Sequence, residues 1–106
     1  MSVFDFSKSP DINEGVKYFL SVQNGILLDV RSKQEYVSGH IPGSRNVPLH
    51  RLDDIADEAE DLNTPLFVYC HSGVRSRRAV EELRDMGYLH AYNLGGIAEY
   101  HGFLDC

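Results

Sequence analysis

The amino-acid sequence predicts an α/β domain with a small, largely parallel sheet covered by helices. Three short apolar runs, at residues 25–30, 65–70 and 91–94, have the length and composition of buried strands. Segments with helical periodicity separate these runs. Strands that alternate with helices form parallel sheets with right-handed crossovers, because each helix carries the chain back along one face of the sheet.

The first predicted element is a helix that precedes the first strand. Ser9 is expected as its N-cap, with Pro10 at the first helical position and Asp11 as an acid in the first turn. The apolar face of this helix is expected to contain Ile12, Val16, Phe19 and Leu20. The strand GILLDV follows at residues 25–30.

Two helices and one short extended segment are predicted between the first two apolar runs. Ser32 and Glu35 have the spacing of a capping box, and Gly39 is expected to end this helix. The segment HIPGSRNVPL, at 40–49, has too many turn residues for more than a brief extended stretch. A further helix is predicted at 50–62, with its acids in solvent and an apolar face formed by Leu52, Ile55, Ala59 and Leu62.

The strand PLFVYC, at 65–70, is continuous and apolar, as expected where helices cover both faces of a parallel sheet. The next helix is predicted at 76–87, with Gly87 at its end. Its inward-facing residues are expected to be Ala79, Val80, Leu83 and Met86. The strand AYNL follows at 91–94, after which the chain is expected to turn away from the sheet.

Length, charge and cysteine content restrict the possible classes of protein. Residues 1–106, with 42% hydrophobic and 25% charged residues, are expected to form one domain around one core. The net charge of −6 argues against nucleic acid or an anionic membrane as partner. No apolar stretch has membrane-spanning length, and the N-terminus lacks the pattern of a secretory signal, so a cytoplasmic protein is expected. Cys70 and Cys106 are expected as free thiols.

The sequence CHSGVR, which begins at Cys70, has the features of a nucleophile loop. Ligands of open α/β sheets bind beyond the carboxyl ends of the strands, and Cys70 ends one. The loop from His71 to Arg75 is expected to curl toward a helix that opens near Ser76, with Gly73 permitting a positive φ. Inward N–H groups and the helix N-terminus stabilise a thiolate. Three arginines, Arg75, Arg77 and Arg78, are expected to stabilise the thiolate further through their positive charge.

These features predict an exposed cysteine of low pKa, and a nearby anion as its substrate. The alternative is a buried, inert cysteine, which is the usual environment of a lone cysteine. The strand-end position, the glycine and the arginines together favour the nucleophile.

Three ordered motifs resemble the single-domain rhodaneses, the thiosulfate sulfurtransferase family. CHSGVRS is similar to that family's active-site loop, LLDVRSKQEYVSGHIPGSRNVP to its N-terminal signature, and NLGGIAEY to its closing segment, with Tyr100 where a tryptophan is common. The resemblance runs from about residue 25 to residue 100. It implies a rhodanese-like three-layer domain.

The resemblance also implies a persulfide cycle on Cys70. A small anionic sulfur donor such as thiosulfate would load the sulfur, and cyanide or a thiol, a protein thiol included, would accept it. The substrate-binding residues implied by the motif are His71, Ser72, Gly73, Val74, Arg75 and Ser76. The resemblance implies no metal and no organic cofactor.

Other readings of the loop remain open. Cysteine-dependent phosphatases that share this fold require one more residue between cysteine and arginine than the four that separate Cys70 from Arg75, so phosphatase activity is disfavoured. A binding module without turnover lacks support because Cys70 is present. A sulfur carrier that serves a protein partner cannot be distinguished from an enzyme by sequence.

Residues outside the loop are expected to be mainly structural. The five histidines have no paired spacing, so no metal site is expected. His40 is expected to form a structural hydrogen bond, whereas His71 either assists the thiolate or faces solvent. The pair Asp29 and Arg31 is expected to fix the loop after the first strand. Cys106 is expected to be an idle exposed thiol rather than a disulfide partner of Cys70.

Overall fold

The computed structural model, which describes residues 11–106, contains a parallel four-stranded sheet. The strand order is β2-β1-β3-β4, and every pairing in the sheet is parallel. The strands are β1 (Ile26–Asp29), β2 (Ser44–Asn46), β3 (Leu66–Cys70) and β4 (Ala91–Gly96). The three predicted strands are thus present, and the brief extended segment is the three-residue strand β2.

Helices cover both faces of this sheet. The α-helices are α1 (Ile12–Ser21), α2 (Lys33–Ser38), α3 (Ile55–Glu58) and α4 (Val74–Asp85), and 3-10 helices occupy Leu49–Asp54 and Ile97–Glu99. Within residues 11–106, every helix falls short of the length and apolar character that a bilayer-spanning helix needs.

The sheet separates two apolar clusters, because successive strand residues point to opposite faces. Leu28, Val68 and Cys70 face α3 and α4, where they pack with Ile55 and Leu83. The opposite cluster lies under α1 and consists of Ile12, Val16, Leu27, Ile41, Phe67, Tyr69 and Leu94. The predicted three-layer α/β fold is confirmed.

Helix α1 begins later than predicted, and of its predicted apolar face Ile12, Val16 and Phe19 pack into the core. Asp11 is the N-cap, since its carboxylate accepts hydrogen bonds from the N–H groups of Asn13 at 3.0 Å and Glu14 at 3.5 Å. The predicted cap Ser9 and Pro10 lie outside the described residues. The prediction for Leu20 is wrong, as its side chain is 73% exposed. Gly15 packs against Leu94 instead, which turns the buried face of α1 away from Leu20.

The predicted helix at 50–62 is interrupted. A 3-10 helix ends at Asp54, and the α-helical turn that follows ends at Glu58. The dense acids of this segment disfavour a longer helix, because like charges three or four residues apart repel. Its predicted apolar residues Leu52, Ile55 and Ala59 are buried, whereas Leu62 lies beyond the helix and is 47% exposed.

The connection before β2 and the segment after β4 both follow their sequence signals. The capping box of Ser32 and Glu35 is formed at the start of α2, and Gly39 is the C-cap. After β4 the chain leaves the sheet, as predicted, and then returns to pair Asp105 with His40 in an isolated antiparallel bridge. Both backbone hydrogen bonds of that bridge are formed, at 2.8 and 2.9 Å.

Candidate active site

Cys70 is the last residue of β3, at the carboxyl edge of the sheet. Three residues, 71–73, connect it to α4, which begins at Val74 rather than near Ser76. Gly73 is the N-cap, with the predicted positive φ, at 98°. Val74, Arg75 and Ser76 therefore belong to the first helical turn, not to the loop.

The sulfur of Cys70 accepts hydrogen bonds from uncharged donors. The N–H of Gly73 lies 3.0 Å from Sγ, and the hydroxyl of Ser76 lies 3.4 Å from it. Burial by itself raises the pKa of the Cys70 thiol, but the Ser76 hydroxyl and the N–H groups of Ser76, Gly73 and Ser72 outweigh it. The resulting pKa lies below the ordinary value. The site can therefore hold a thiolate.

The predicted exposure of Cys70 is wrong, since its side chain has 0% exposure. The reason is its direction: Cys70 points into the apolar cluster under α4, and Ser76, also at 0% exposure, covers it. The cysteine thus has the burial of an inert residue together with the hydrogen bonds of a reactive one.

The loop rests on the end of β4. A Cβ atom on Gly96 would overlap the carbonyl oxygen of His71 and lie 2.6 Å from the Cα of Ser72, so this contact requires glycine. The same carbonyl accepts the N–H of Ala98 at 3.1 Å. Gly73 in turn lies beside Gly95. The Gly-Gly pair is therefore the surface on which residues 71–73 are seated.

Two of the three arginines near the loop contact carboxylates. Arg75 donates two hydrogen bonds to Glu35 of α2, at 2.7 and 3.0 Å. This contact is the main cause that lowers the pKa of Glu35 to about 2. Arg78 lies 3.3 Å from Glu82. Two of the three arginines expected to act on the thiolate thus have their charge compensated locally.

Asp29 and Arg31 have the structural role predicted for them. Both are buried, and the Arg31 guanidinium contacts both carboxylate oxygens of Asp29, with a shortest distance of 2.7 Å. Arg31 also donates to the carbonyl of Gly39 at 2.6 Å. The pair ties the end of β1 to the end of α2.

The remaining predicted residues are half-buried or exposed. His40 has the predicted structural role, with Nδ1 at 2.8 Å from the Tyr36 carbonyl and its ring stacked on that tyrosine. His71, Ser72 and Val74 are exposed at the loop surface. Cys106 is an exposed free thiol. Within residues 11–106, no group of histidine, cysteine and acidic side chains could hold a metal ion.

Sequence reasoning missed Asn93 of β4. Its amide oxygen accepts the Ser76 hydroxyl at 2.7 Å, and its amide nitrogen donates to the Gly73 carbonyl at 3.3 Å. A polar residue near the carboxyl end of a strand was the available signal, because neighbouring parallel strands end at the same edge.

The chain is similar to known proteins along most of its length. The Rhodanese-like domain family matches residues 16–102. The "Uncharacterized protein YqhL" of Bacillus subtilis is 42% identical over 72% of this chain and 60% of that protein. The "Thiosulfate sulfurtransferase PspE" of Escherichia coli is 38% identical over 68% of this chain and 70% of that protein.

A second Bacillus subtilis protein has a different kind of name. It is the "Putative sulfur carrier protein YrkF", 35% identical over 72% of this chain and 41% of its own length. Among solved structures, a "rhodanese with anions from E. coli" has a TM-score of 0.68 and 36% identity, and the match covers 72% of this chain and 91% of that one.

Proposed function

Since this chain belongs to the rhodanese-like domain family, we propose that it is a sulfurtransferase that works through a persulfide on Cys70. It takes a sulfane sulfur from thiosulfate or another persulfide donor and passes it to a thiophilic acceptor. The observation that carries this proposal is the hydrogen bonding of Cys70 Sγ by the Gly73 N–H and the Ser76 hydroxyl at the start of α4. Named relatives such as the thiosulfate sulfurtransferase of Escherichia coli support the same activity.

In the first half-reaction, the Cys70 thiolate attacks the outer sulfur of thiosulfate. The S–S bond of thiosulfate breaks, and its electron pair leaves with sulfite. The lowered pKa of Cys70 favours the thiolate, which is the nucleophilic form of the side chain. In the second half-reaction, cyanide or a thiol, a protein thiol included, attacks the outer sulfur and releases the Cys70 thiolate.

The six residues from His71 to Ser76 are proposed to bind the donor and the persulfide. Their N–H groups lie at the N-terminus of α4, where partial positive charge stabilises an anion. Arg75 would add a full charge, which Glu35 partly compensates. We propose no metal and no cofactor. A reducing compartment, the cytoplasm in this proposal, would keep the free Cys70 and Cys106 reduced.

The half-reaction is tested by mass spectrometry of the intact chain after incubation with thiosulfate. We expect the gain of one sulfur atom on Cys70 and its loss on addition of cyanide, with formation of thiocyanate. Cys70→Ser should neither load nor turn over, whereas the matched control Cys106→Ser should behave like wild type. Thiocyanate formation by Cys70→Ser would contradict the assignment of the nucleophile.

A sulfur carrier that serves a protein partner is the second candidate, favoured by the similarity to a protein named as a sulfur carrier. The two functions differ in the second half-reaction. Persulfidated protein can be offered cyanide, a small thiol and a reduced protein thiol in turn. Discharge restricted to the protein thiol would identify a carrier, whereas rapid discharge to cyanide would identify the general transferase.

Phosphatase activity remains the disfavoured alternative. Four residues separate Cys70 from Arg75, and the guanidinium that would bind phosphate oxygens already contacts both oxygens of Glu35. We therefore expect negligible hydrolysis of an aryl phosphate, measured by release of the phenolate. Substantial hydrolysis by the unmodified protein would overturn this assignment.

A further inference from the structure

The Ser76 hydroxyl has one proton and two acceptors within reach. Asn93 Oδ1 lies 2.7 Å from Ser76 Oγ, and Cys70 Sγ lies 3.4 Å from it. A hydroxyl donates one hydrogen bond at a time, although its oxygen can accept others. Ser76 is completely buried, so water does not reach it as a third partner. The two acceptors therefore compete for one proton.

The amide of Asn93 is held so that its oxygen faces Ser76. Oδ1 also accepts the N–H of Gly95 at 2.9 Å, and Nδ2 donates to the Gly73 carbonyl at 3.3 Å. The exchanged amide orientation would place a donor against the Gly95 N–H, so these contacts fix the orientation. Asn93 thus offers Ser76 a constant acceptor, whereas the acceptor strength of the sulfur changes with its charge.

We propose that Asn93 is a positioning residue. It accepts the hydrogen bond of the Ser76 hydroxyl while Cys70 Sγ is neutral, and the hydroxyl turns to donate to Sγ when the thiolate forms. This inference rests on the proposed sulfur transfer and deepens it. Asn93 acts only through Ser76, which contacts the reacting sulfur.

The Ser76 hydroxyl donates to a different acceptor in the persulfide and in the thiolate state of Cys70. In the persulfide, Sγ is an uncharged bridging sulfur and a weak acceptor, so Ser76 donates to Asn93. An acceptor nucleophile then attacks the outer sulfur, the S–S bond breaks, and the electron pair returns to Sγ. Ser76 turns its proton to the new thiolate without transferring it. The hydrogen bond to sulfur thus strengthens as charge develops, which is the condition for stabilising a transition state.

The charged groups near Cys70 lie on α4, on α2 and at the end of β1. Arg75 of α4 is the cation that interacts with the thiolate, and Glu35 of α2 compensates it. Asp29 and Arg31 at the end of β1 neutralise each other. His71 is exposed next to Cys70 in the chain. None of these groups bonds to Ser76 or Asn93, so they should contribute equally in Asn93 variants.

The test is the pH midpoint of Cys70 ionisation, followed by the ultraviolet absorbance of the thiolate in a Cys106→Ser background. Asn93→Asp, an isosteric change to a stronger acceptor, should raise the midpoint by about one pH unit. Asn93→Ala, which removes the competing acceptor, should lower it. The control Asn63→Asp adds the same charge at an exposed turn and should leave the midpoint unchanged.

A merely structural Asn93 gives a different result. Loosening of the loop would shift the midpoint in the same direction in both variants, or in neither, and either outcome overturns the proposal. A Ser76→Ala background decides the matter further: the Asn93→Asp shift should there fall to less than half, and an undiminished shift would show a direct charge effect instead. If Asn93→Ala does not fold, the comparison in the Ser76→Ala background still tests the proposal, because it uses only Asn93→Asp.

Failure of the proposed sulfur transfer is detected separately. The Cys106→Ser parent can be incubated with thiosulfate, and the absence of a sulfur gain would refute transfer without altering the ionisation midpoints. If the two Asn93 variants shift the ionisation midpoint in opposite directions but the parent takes up no sulfur, Asn93 controls the ionisation of the Cys70 thiol and the proposed transfer is wrong.

Discussion

The sulfur of Cys70 and the charged residues around it are held by two different kinds of interaction. Around Sγ the donors are neutral: a backbone N–H at 3.0 Å and a serine hydroxyl at 3.4 Å. Around the site, full charges contact each other, with Asp29 and Arg31 at 2.7 Å and Glu35 and Arg75 also at 2.7 Å. The acidic partners of both ion pairs come from the segment of β1 and α2.

The difference shows how the thiolate is stabilised. A loop rich in arginine predicts that cations lower the pKa of the cysteine, but those side chains mostly meet carboxylates. Fixed dipoles perform this function instead, and they need no counter-ion that would have to be displaced when substrate enters. The ion pairs hold the scaffold, and the neutral donors hold the charge of the sulfur.

The largest expected effect comes from breaking the buried pair with Asp29→Asn. The guanidinium of Arg31 would remain buried without a charged partner, so the free energy of unfolding should fall by about 3–5 kcal/mol, measured by urea denaturation. Arg45→Gln, which breaks the exposed contact with Glu58, is the control and should change stability by about 0.5 kcal/mol or less. Similar losses in both variants would contradict the distinction between the pairs.

Removing the hydroxyl from the sulfur should affect catalysis more than folding. Ser76→Ala should lower kcat/KM for thiosulfate roughly tenfold to a hundredfold, since a hydrogen bond to a charged group contributes about 1.5–3 kcal/mol. Steady-state thiocyanate formation measures this, with Ser38→Ala on the exposed end of α2 as control. An unchanged rate would mean that the backbone N–H groups suffice.

Breaking the Glu35–Arg75 contact should have a moderate effect that depends on pH. The side chains are 36% and 40% exposed, so solvent screens the pair, and Arg75→Ala should reduce stability by about 1 kcal/mol at neutral pH. The pKa of Glu35 is lowered from 4.5 to about 2, so this contribution is complete above pH 4.5 and disappears as the pH falls toward 2. Urea denaturation of both proteins across this range measures the difference.

Glu35→Gln separates the structural role of Arg75 from anion binding. Both variants lose the ion pair, but Glu35→Gln leaves the charge of the Arg75 guanidinium uncompensated near the loop. The KM for thiosulfate should therefore fall in Glu35→Gln and rise in Arg75→Ala. Parallel changes in KM would show that Arg75 serves the fold alone.

The smallest expected effect is that of Cys106→Ser. The thiol is exposed and free. Transfer rate, stability and persulfide lifetime should equal those of wild type within error. A longer-lived persulfide in the variant, followed by mass spectrometry without added acceptor, would instead give the terminal cysteine a part in discharge.

Local patterns predicted most of this molecule because their causes are local. The apolar runs became strands, Ser32 and Glu35 formed their capping box, and Gly73 took its positive φ. The acidic segment was predicted less well, since repulsion between neighbouring acids competes with its apolar periodicity. The predicted burial of Leu20 was wrong because Gly15 packs against Leu94, and this contact, which the local sequence does not show, sets the packing face of α1.

The sequence identified Cys70 and its loop as the candidate site but did not predict their burial or their contacts with distant residues. Cys70 was recognised by its place at a strand end, yet its burial depends on where α4 begins, two residues earlier than predicted. Glu35 and Arg75 are forty residues apart, and nothing local brings them together. Asn93 was missed for the same reason: its bonds to Ser76 and Gly73 arise from the register of β4 beside β3.

The enclosure of Cys70 also determines how long the thiol survives. Because Cys70 has no exposed surface, a reagent reaches its sulfur only when residues 71–73 move, and such a movement admits oxidants as well as the proposed sulfur donor. Irreversible oxidation to the sulfinic acid takes repeated encounters, whereas loading with sulfur takes one. In the proposed function, the frequency of that movement therefore sets both how fast sulfur can be transferred and how slowly the thiol is damaged.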